Sequence, residues 1–194
     1  RWSFRRLVIM PISNPFRKPL AAVQDSPVAD SATDPAALEL LTASALQQLT
    51  DHITQSETRH TGDIRICIEH TLPESYQQRQ ATPRERAVMQ FAKLRVWDTE
   101  HNNGILIYIL LDLHAIEIVA DRGYNHCVPQ NVWQELTDSL RSRFQQHDYL
   151  EGLTHVLDRI TDLMAQCYPA DANHVRVENL PNAPVILDSR PHQH

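Results

Sequence analysis

Glycine is the residue this 194-residue sequence conspicuously withholds: only Gly62, Gly104, Gly123 and Gly152 occur, and no two stand close together. A GxGxxG dinucleotide fingerprint, a GxxxxGK phosphate loop and a GxSxG nucleophile elbow each need two glycines within a few residues, so all three are excluded. Cysteine is as sparse. Cys67, Cys127 and Cys167 are widely separated and form no CxxC pair, which removes zinc ribbons and thioredoxin-type motifs. None begins a C-x5-R loop, and no DxDx[TV] segment occurs, so the recognised phosphatase nucleophile motifs are missing. An odd, scattered cysteine set reads as reduced and buried, with Cys67 and Cys167 as small apolar core groups and cytoplasm as the default compartment. No apolar run approaches the ~20 residues of a membrane-spanning helix. The short stretch Leu7–Ile12 is interrupted by Pro11 and falls below a signal-peptide core, while an initial Arg in place of Met leaves an upstream segment open.

Charge is unevenly spread. The chain carries 18 basic and 24 acidic residues, net −6. Arg1, Arg5, Arg6, Arg17 and Lys18 fall in the first 24 residues with no acid among them, and subtracting that +5 leaves −11 for the remainder. An acidic body repels phosphate backbones, so nucleic acid is not an expected partner. The basic lead, with Trp2, Phe4 and Leu7–Met10, suits either an anionic membrane surface or a solvated terminus.

Residues 1–37 therefore read as a basic lead and a proline-rich linker, with Pro15, Pro19, Pro27 and Pro35 among Ser, Asp and Ala. Leu38, Leu41, Leu46, Leu49 and Ile53 then recur at helical spacing. Asp63–Glu69 alternates as a strand, with Ile64, Ile66 and Ile68 on one face. Thr82-Pro83-Arg84-Glu85 predicts a capped helix start, followed by Val88, Phe91 and Leu94 on one face. Ile105–Leu111 is apolar on both faces, as a central strand should be. Its short link to Ala115–Ala120 demands an antiparallel hairpin. Helices from Pro129 and from Tyr149 complete the body. Beyond residue 168 an extended tail, 169–194, retains only Val185-Ile186-Leu187 as an edge strand or a partner contact. The order α-β-α-β-β-α-α predicts an α/β fold, a three-layer α/β/α sandwich on a small mixed sheet with one parallel crossover and one hairpin.

That topology carries a spatial expectation. A right-handed crossover places the starts of the first two strands at one end, and the hairpin returns the third strand's end there. Loops 59–62, 97–104 and 121–128 then converge, each holding one of the scarce glycines, read as permissive backbone. They offer Glu57, His60, Asp98, Glu100, His101, Asn102, Asn103, Asp121 and His126. Carboxylates, amides and imidazoles gathered at one rim suit a divalent cation: Ca²⁺, Mg²⁺ or Mn²⁺ for an oxygen-rich set, while two histidines admit Zn²⁺. The alternative is turn chemistry at Asn102-Asn103-Gly104, a local cap at Asp98 and solvated surface elsewhere. Cys127, beside His126, is a minor candidate for a thiolate nucleophile.

Thr61-Gly62-Asp63-Ile64-Arg65-Ile66, the Thr82–Trp97 helix, His101–Tyr108 and Ile116–Gly123 together resemble the TPM domain family, as does Phe144–Leu153 at a helix junction. The family takes its name from thylakoid-lumen, photosystem and receptor-modulator members, and the likeness spans about residues 38–168. Arg95–His101 resembles a bacterial subgroup of short members that lack a C-terminal membrane helix. The resemblance implies an α/β/α sandwich, a divalent-ion site and one of two roles. One is a non-catalytic accessory, assembly or modulation module for a membrane-associated complex, docked by the N-terminal lead or the C-terminal tail, cytoplasmic or peripheral at the inner membrane. The other is a divalent-metal-assisted acid phosphatase, an activity credited to a plant member. There Glu57, Asp98 and Asp121 hold the ion, His60 or His101 serves as acid/base, and Arg122 steadies the phosphate. Two departures bear on any ion site: Trp97-Asp98-Thr99 stands where many members carry glycine, and Cys127-Val128-Pro129-Gln130 where many carry aspartate.

Overall fold

The computed structural model describes residues 37–171 and 180–188; the basic lead, the linker through residue 36 and the rest of the tail lie outside them. A four-stranded sheet runs through the centre in the order β3-β2-β1-β4. Its strands are β1 (Ile64–Glu69), β2 (Ile105–Leu110), β3 (Ala115–Ala120) and β4 (Val185–Leu187). β1 and β2 are parallel, with Ile64 level with Ile105 and Glu69 level with Leu110. β2 and β3 form the expected hairpin, pairing Ile105 with Ala120 and Leu110 with Ala115. β4 adds to the outer edge of β1, parallel to it, so Val185-Ile186-Leu187 takes the edge-strand option.

Helices cover both faces. α1 (Ala43–Ser56), α4 (Gln130–Gln145) and α5 (Leu150–Cys167) pack on one side. There Ile64, Ile66, Ile68, Ile105, Ile107 and Ile109 meet Leu49, Ile53, Trp133, Leu140, Leu153, Val156 and Ile160 in the larger core. α3 (Pro83–Lys93) covers the other face, over Cys67, Leu106, Tyr108, Leu110 and Val119. The sandwich thus has the three expected layers. A short helix, α2 (Glu74–Gln78), precedes α3 and has no counterpart in the sequence reading.

Local chemistry explains most element boundaries. Thr82 accepts from the Glu85 amide while the Glu85 carboxylate accepts from the Thr82 amide at 2.7 Å, the reciprocal box expected at that start. The inward face of α3 differs from the expected Val88-Phe91-Leu94 stripe: Arg86, Ala87 and Gln90 are buried instead, with Phe91 and Leu94 packed at the margin. The cause lies in β1. Glu69 is fully buried, and a carboxylate there needs donors. Arg86 supplies two, from Nε at 2.9 Å and Nη2 at 2.6 Å, and the Tyr108 hydroxyl a third at 2.6 Å. Leu38 likewise is exposed and Leu40 buried, because residues Ala37–Leu41 form a 3-10 turn whose three-residue period rotates the stripe.

Candidate functional site

The N-terminal ends of β1 and β2 meet the C-terminal end of β3, and three loops close over that rim as the topology requires. Their glycines are there for want of a side chain, not for unusual backbone angles: no described glycine has positive φ. A Cβ on Gly62 would lie 2.5 Å from the Asn103 carbonyl oxygen and 3.0 Å from the Tyr124 hydroxyl. One on Gly123 would strike the Asn102 carbonyl and come within 2.7 Å of the Tyr168 hydroxyl. The left-handed turn falls to Asn102 itself, at φ 52°. Asparagine tolerates that conformation better than most residues.

Hydrogen bonds tie the loops together. The Asn103 side-chain amide donates to Thr61 Oγ1 at 3.3 Å, the Tyr124 hydroxyl donates to the Asn103 carbonyl at 2.8 Å, and the Gly123 amide donates to the Asn102 carbonyl at 2.9 Å. A fourth wall comes from Tyr168, just past the end of α5. Its hydroxyl donates to the Gly123 carbonyl at 2.6 Å, and its own carbonyl accepts from the Thr61 amide at 3.0 Å. Its ring stacks on His101, with centroids 6.0 Å apart, and meets Tyr124 and His126 edge-on. Nothing in the sequence singled Tyr168 out, because the position carries no motif.

The predicted site residues are distributed unequally over this rim. Asp121 sits within it, one carboxylate oxygen accepting from the Arg122 amide at 2.7 Å. Arg122 is exposed and donates to the Asn102 side chain at 2.9 Å. His101 is exposed above Tyr168. His60 is 1% exposed and its Nδ1 lies 3.0 Å from the Gly62 carbonyl, so it braces its own loop instead of facing solvent. Glu57 is buried under the C-terminal segment, accepting from Asn182 at 2.9 Å. Asp98 pairs with Arg95 and lines a separate recess with Lys93 and Leu180. Among the described residues no three His, Cys, Asp or Glu side chains gather as a metal-holding group, so Glu57, Asp98 and Asp121 do not form the expected triad. Each of the first two is instead satisfied by a nearer donor.

Two oxygens at the rim are left over. Asp121 Oδ2 and Asn103 Oδ1 are buried, and neither has a hydrogen-bond donor among the described residues. They belong to neighbouring positions of the ladder, since the Asp121 amide donates to the Gly104 carbonyl at 2.9 Å. Burial raises the Asp121 carboxyl pKa above its ordinary value, with the Arg122 amide and charge opposing. Burial, with Tyr168, Asp63 and Asp121 nearby, raises the Tyr124 phenol. That phenol is therefore a neutral donor under ordinary conditions, and Asp63 is a rim acid that reading it as part of a strand concealed.

The cysteines overturn one expectation outright. Cys127 and Cys167 form a disulfide, with Cα atoms 6.0 Å apart, directly beside the rim. Only Cys67 is free, and burial, reinforced by Glu69, pushes its thiol up to about 12. Cys127 is accordingly neither a free thiolate nor a nucleophile, and Cys167 is not a simple core group.

The sequence profile of the TPM domain matches residues 33–163, about two thirds of the chain and all three rim loops. The chain belongs to the TPM domain family. The fold of this TPM domain is shared with the BA42 protein of the psychrophilic bacterium Bizionia argentinensis, at 24% identity and a TM-score of 0.65, over 75% of this chain and 94% of that one. It is similar also to the N-terminal domain of a P. gingivalis protein, at 16% identity and TM-score 0.56, over 76% and 92% of the two chains. At such identities the likeness speaks for architecture alone. No curated protein matches the chain significantly. Among the described residues no helix is long and apolar enough to cross a membrane.

Proposed function

We propose that this TPM domain is a non-catalytic binding module whose rim takes a divalent cation, serving a membrane-associated complex. The observation that carries the reading is the pair of buried oxygens, Asp121 Oδ2 and Asn103 Oδ1, that have no donor among the described residues. A buried acceptor without a donor costs about 1–3 kcal/mol, more for a charged one. Ca²⁺ prefers such oxygens, a carboxylate and an amide carbonyl, and would favour the ionised state that burial opposes. Rim backbone carbonyls and water would complete its shell. The membrane side of the proposal rests on the five positive charges and the aromatic residues of the lead. A surface disulfide argues for an oxidising compartment over the cytoplasm of the sequence reading.

Phosphomonoester hydrolysis is the weaker reading. Of its two acid/base candidates His60 is turned inward and only His101 faces solvent, while Arg122 already binds Asn102. The full chain and its Asp121→Asn variant, titrated with Ca²⁺ and Mg²⁺ by calorimetry, test the proposal. Saturable binding that Asp121→Asn weakens by tenfold or more supports it, and no heat with either ion sinks it. Turnover of p-nitrophenyl phosphate that depends on the ion and on His101 would move the chain to the enzyme reading. Co-sedimentation with anionic vesicles, with and without residues 1–24, checks the membrane side.

A further inference from the structure

Tyr168 touches all three rim loops: Thr61 in the first, His101 in the second, Gly123, Tyr124 and His126 in the third. It directly follows Cys167. The partner, Cys127, closes the 3-10 turn Arg122–His126, its amide donating to the Tyr124 carbonyl at 3.1 Å. The disulfide therefore fastens both ends of one contact set, the turn that presents Asp121 and the helix end that carries Tyr168. Cys127 is exposed and Cys167 half-buried, so a small dithiol or a thioredoxin-class protein can reach the bond. Cys67 lies in the core on the opposite face of the sheet and offers no competing thiol.

We infer that the Cys127–Cys167 bond is a redox lock on the rim: oxidised, it holds Tyr168 across the three loops and the ligand site is assembled; reduced, the helix end parts from the turn and the site loses its ligand. The inference rests on the cation reading for the identity of that ligand, though not for the lock. Reduction is thiol–disulfide exchange. A thiolate of the dithiol attacks one sulfur to give a mixed disulfide, and its second thiol displaces that bond. Two electrons and two protons pass to Cys127 and Cys167, now two thiols, and the reductant ends as a disulfide.

The test uses the full chain in three forms: oxidised, reduced with dithiothreitol, and Cys127→Ser/Cys167→Ser. Ca²⁺ affinity is measured by calorimetry and amide exchange by mass spectrometry. Reduction should weaken Ca²⁺ binding at least tenfold and speed exchange at Thr61 and Gly123, with β1 and β2 unchanged. Reoxidation should restore both in the natural chain and neither in the double variant. Equal Ca²⁺ affinity in the oxidised and reduced chains overturns the lock, as does exchange that rises equally in β1 and β2, because the bond would then hold the whole fold. Binding in neither state, with exchange loosened only at the rim, overturns the cation reading and leaves the lock standing.

Discussion

Two carboxylates with buried oxygens sit at opposite ends of the same sheet, Glu69 wholly buried and Asp121 half-buried, and their partners differ. Glu69, at the C-terminal end of β1, receives three donors from Arg86 and Tyr108. Asp121, beyond the C-terminal end of β3, has one oxygen bonded and the other without a donor among the described residues. Arg86 also lies over the Tyr76 ring, 4.8 Å from its centroid. Burial works against the Arg86 charge, yet the hydrogen bonds and charge of Glu69 hold the guanidinium pKa above its ordinary value. A network closed on itself fixes α3 to the sheet and has nothing left to offer a ligand. The spare buried oxygen of Asp121 is where the proposed cation would bind.

The sharpest way to break the contrast is to open the closed network. Arg86→Met should leave Glu69 buried without its main partner and cost about 3–5 kcal/mol, read from urea unfolding. Ca²⁺ affinity at the distant rim should not move. Gly62→Ala should cost less, about 1–3 kcal/mol, by forcing the Asn103 carbonyl and Met164 apart. It should also weaken Ca²⁺ binding, which separates rim packing from general stability.

The smallest effect belongs to Asp121→Asn without cation. Because burial raises the folded-state pKa, the folded chain holds that proton more tightly than the unfolded one does. The associated stability is present at acid pH and is lost as pH rises above the unfolded value of about 3.9. Thermal melts should therefore show the variant gaining slightly over the natural chain at neutral pH, with that gain vanishing near ~pH 3. Added Ca²⁺ should reverse the order at neutral pH, stabilising only the natural chain.

Much of the frame was legible from residue order. Ile64, Ile66 and Ile68 do face the larger core, the Thr82–Glu85 box does start α3, and the short link after Leu110 does make a hairpin. From these alone the meeting of the three loops followed. The reading failed where a residue's role depends on a distant neighbour. Val88 looked apolar enough for the inside, but Glu69, 19 positions earlier, called Arg86 inward instead. Glu57 and Asp98 looked like ligands until Asn182 and Arg95 claimed them.

The amino-acid order alone determined the main helices, the three central strands with their crossover and hairpin, and the rim at which the loops gather. Period and capping act over a few residues, and chain connectivity limits how strands can pair. Only the tertiary structure decided that Cys127 joins Cys167, that Tyr168 spans the loops, and which acid keeps an unclaimed oxygen. These are matters of distance between residues far apart in the chain, and neither spacing nor composition encodes a distance until the core has packed.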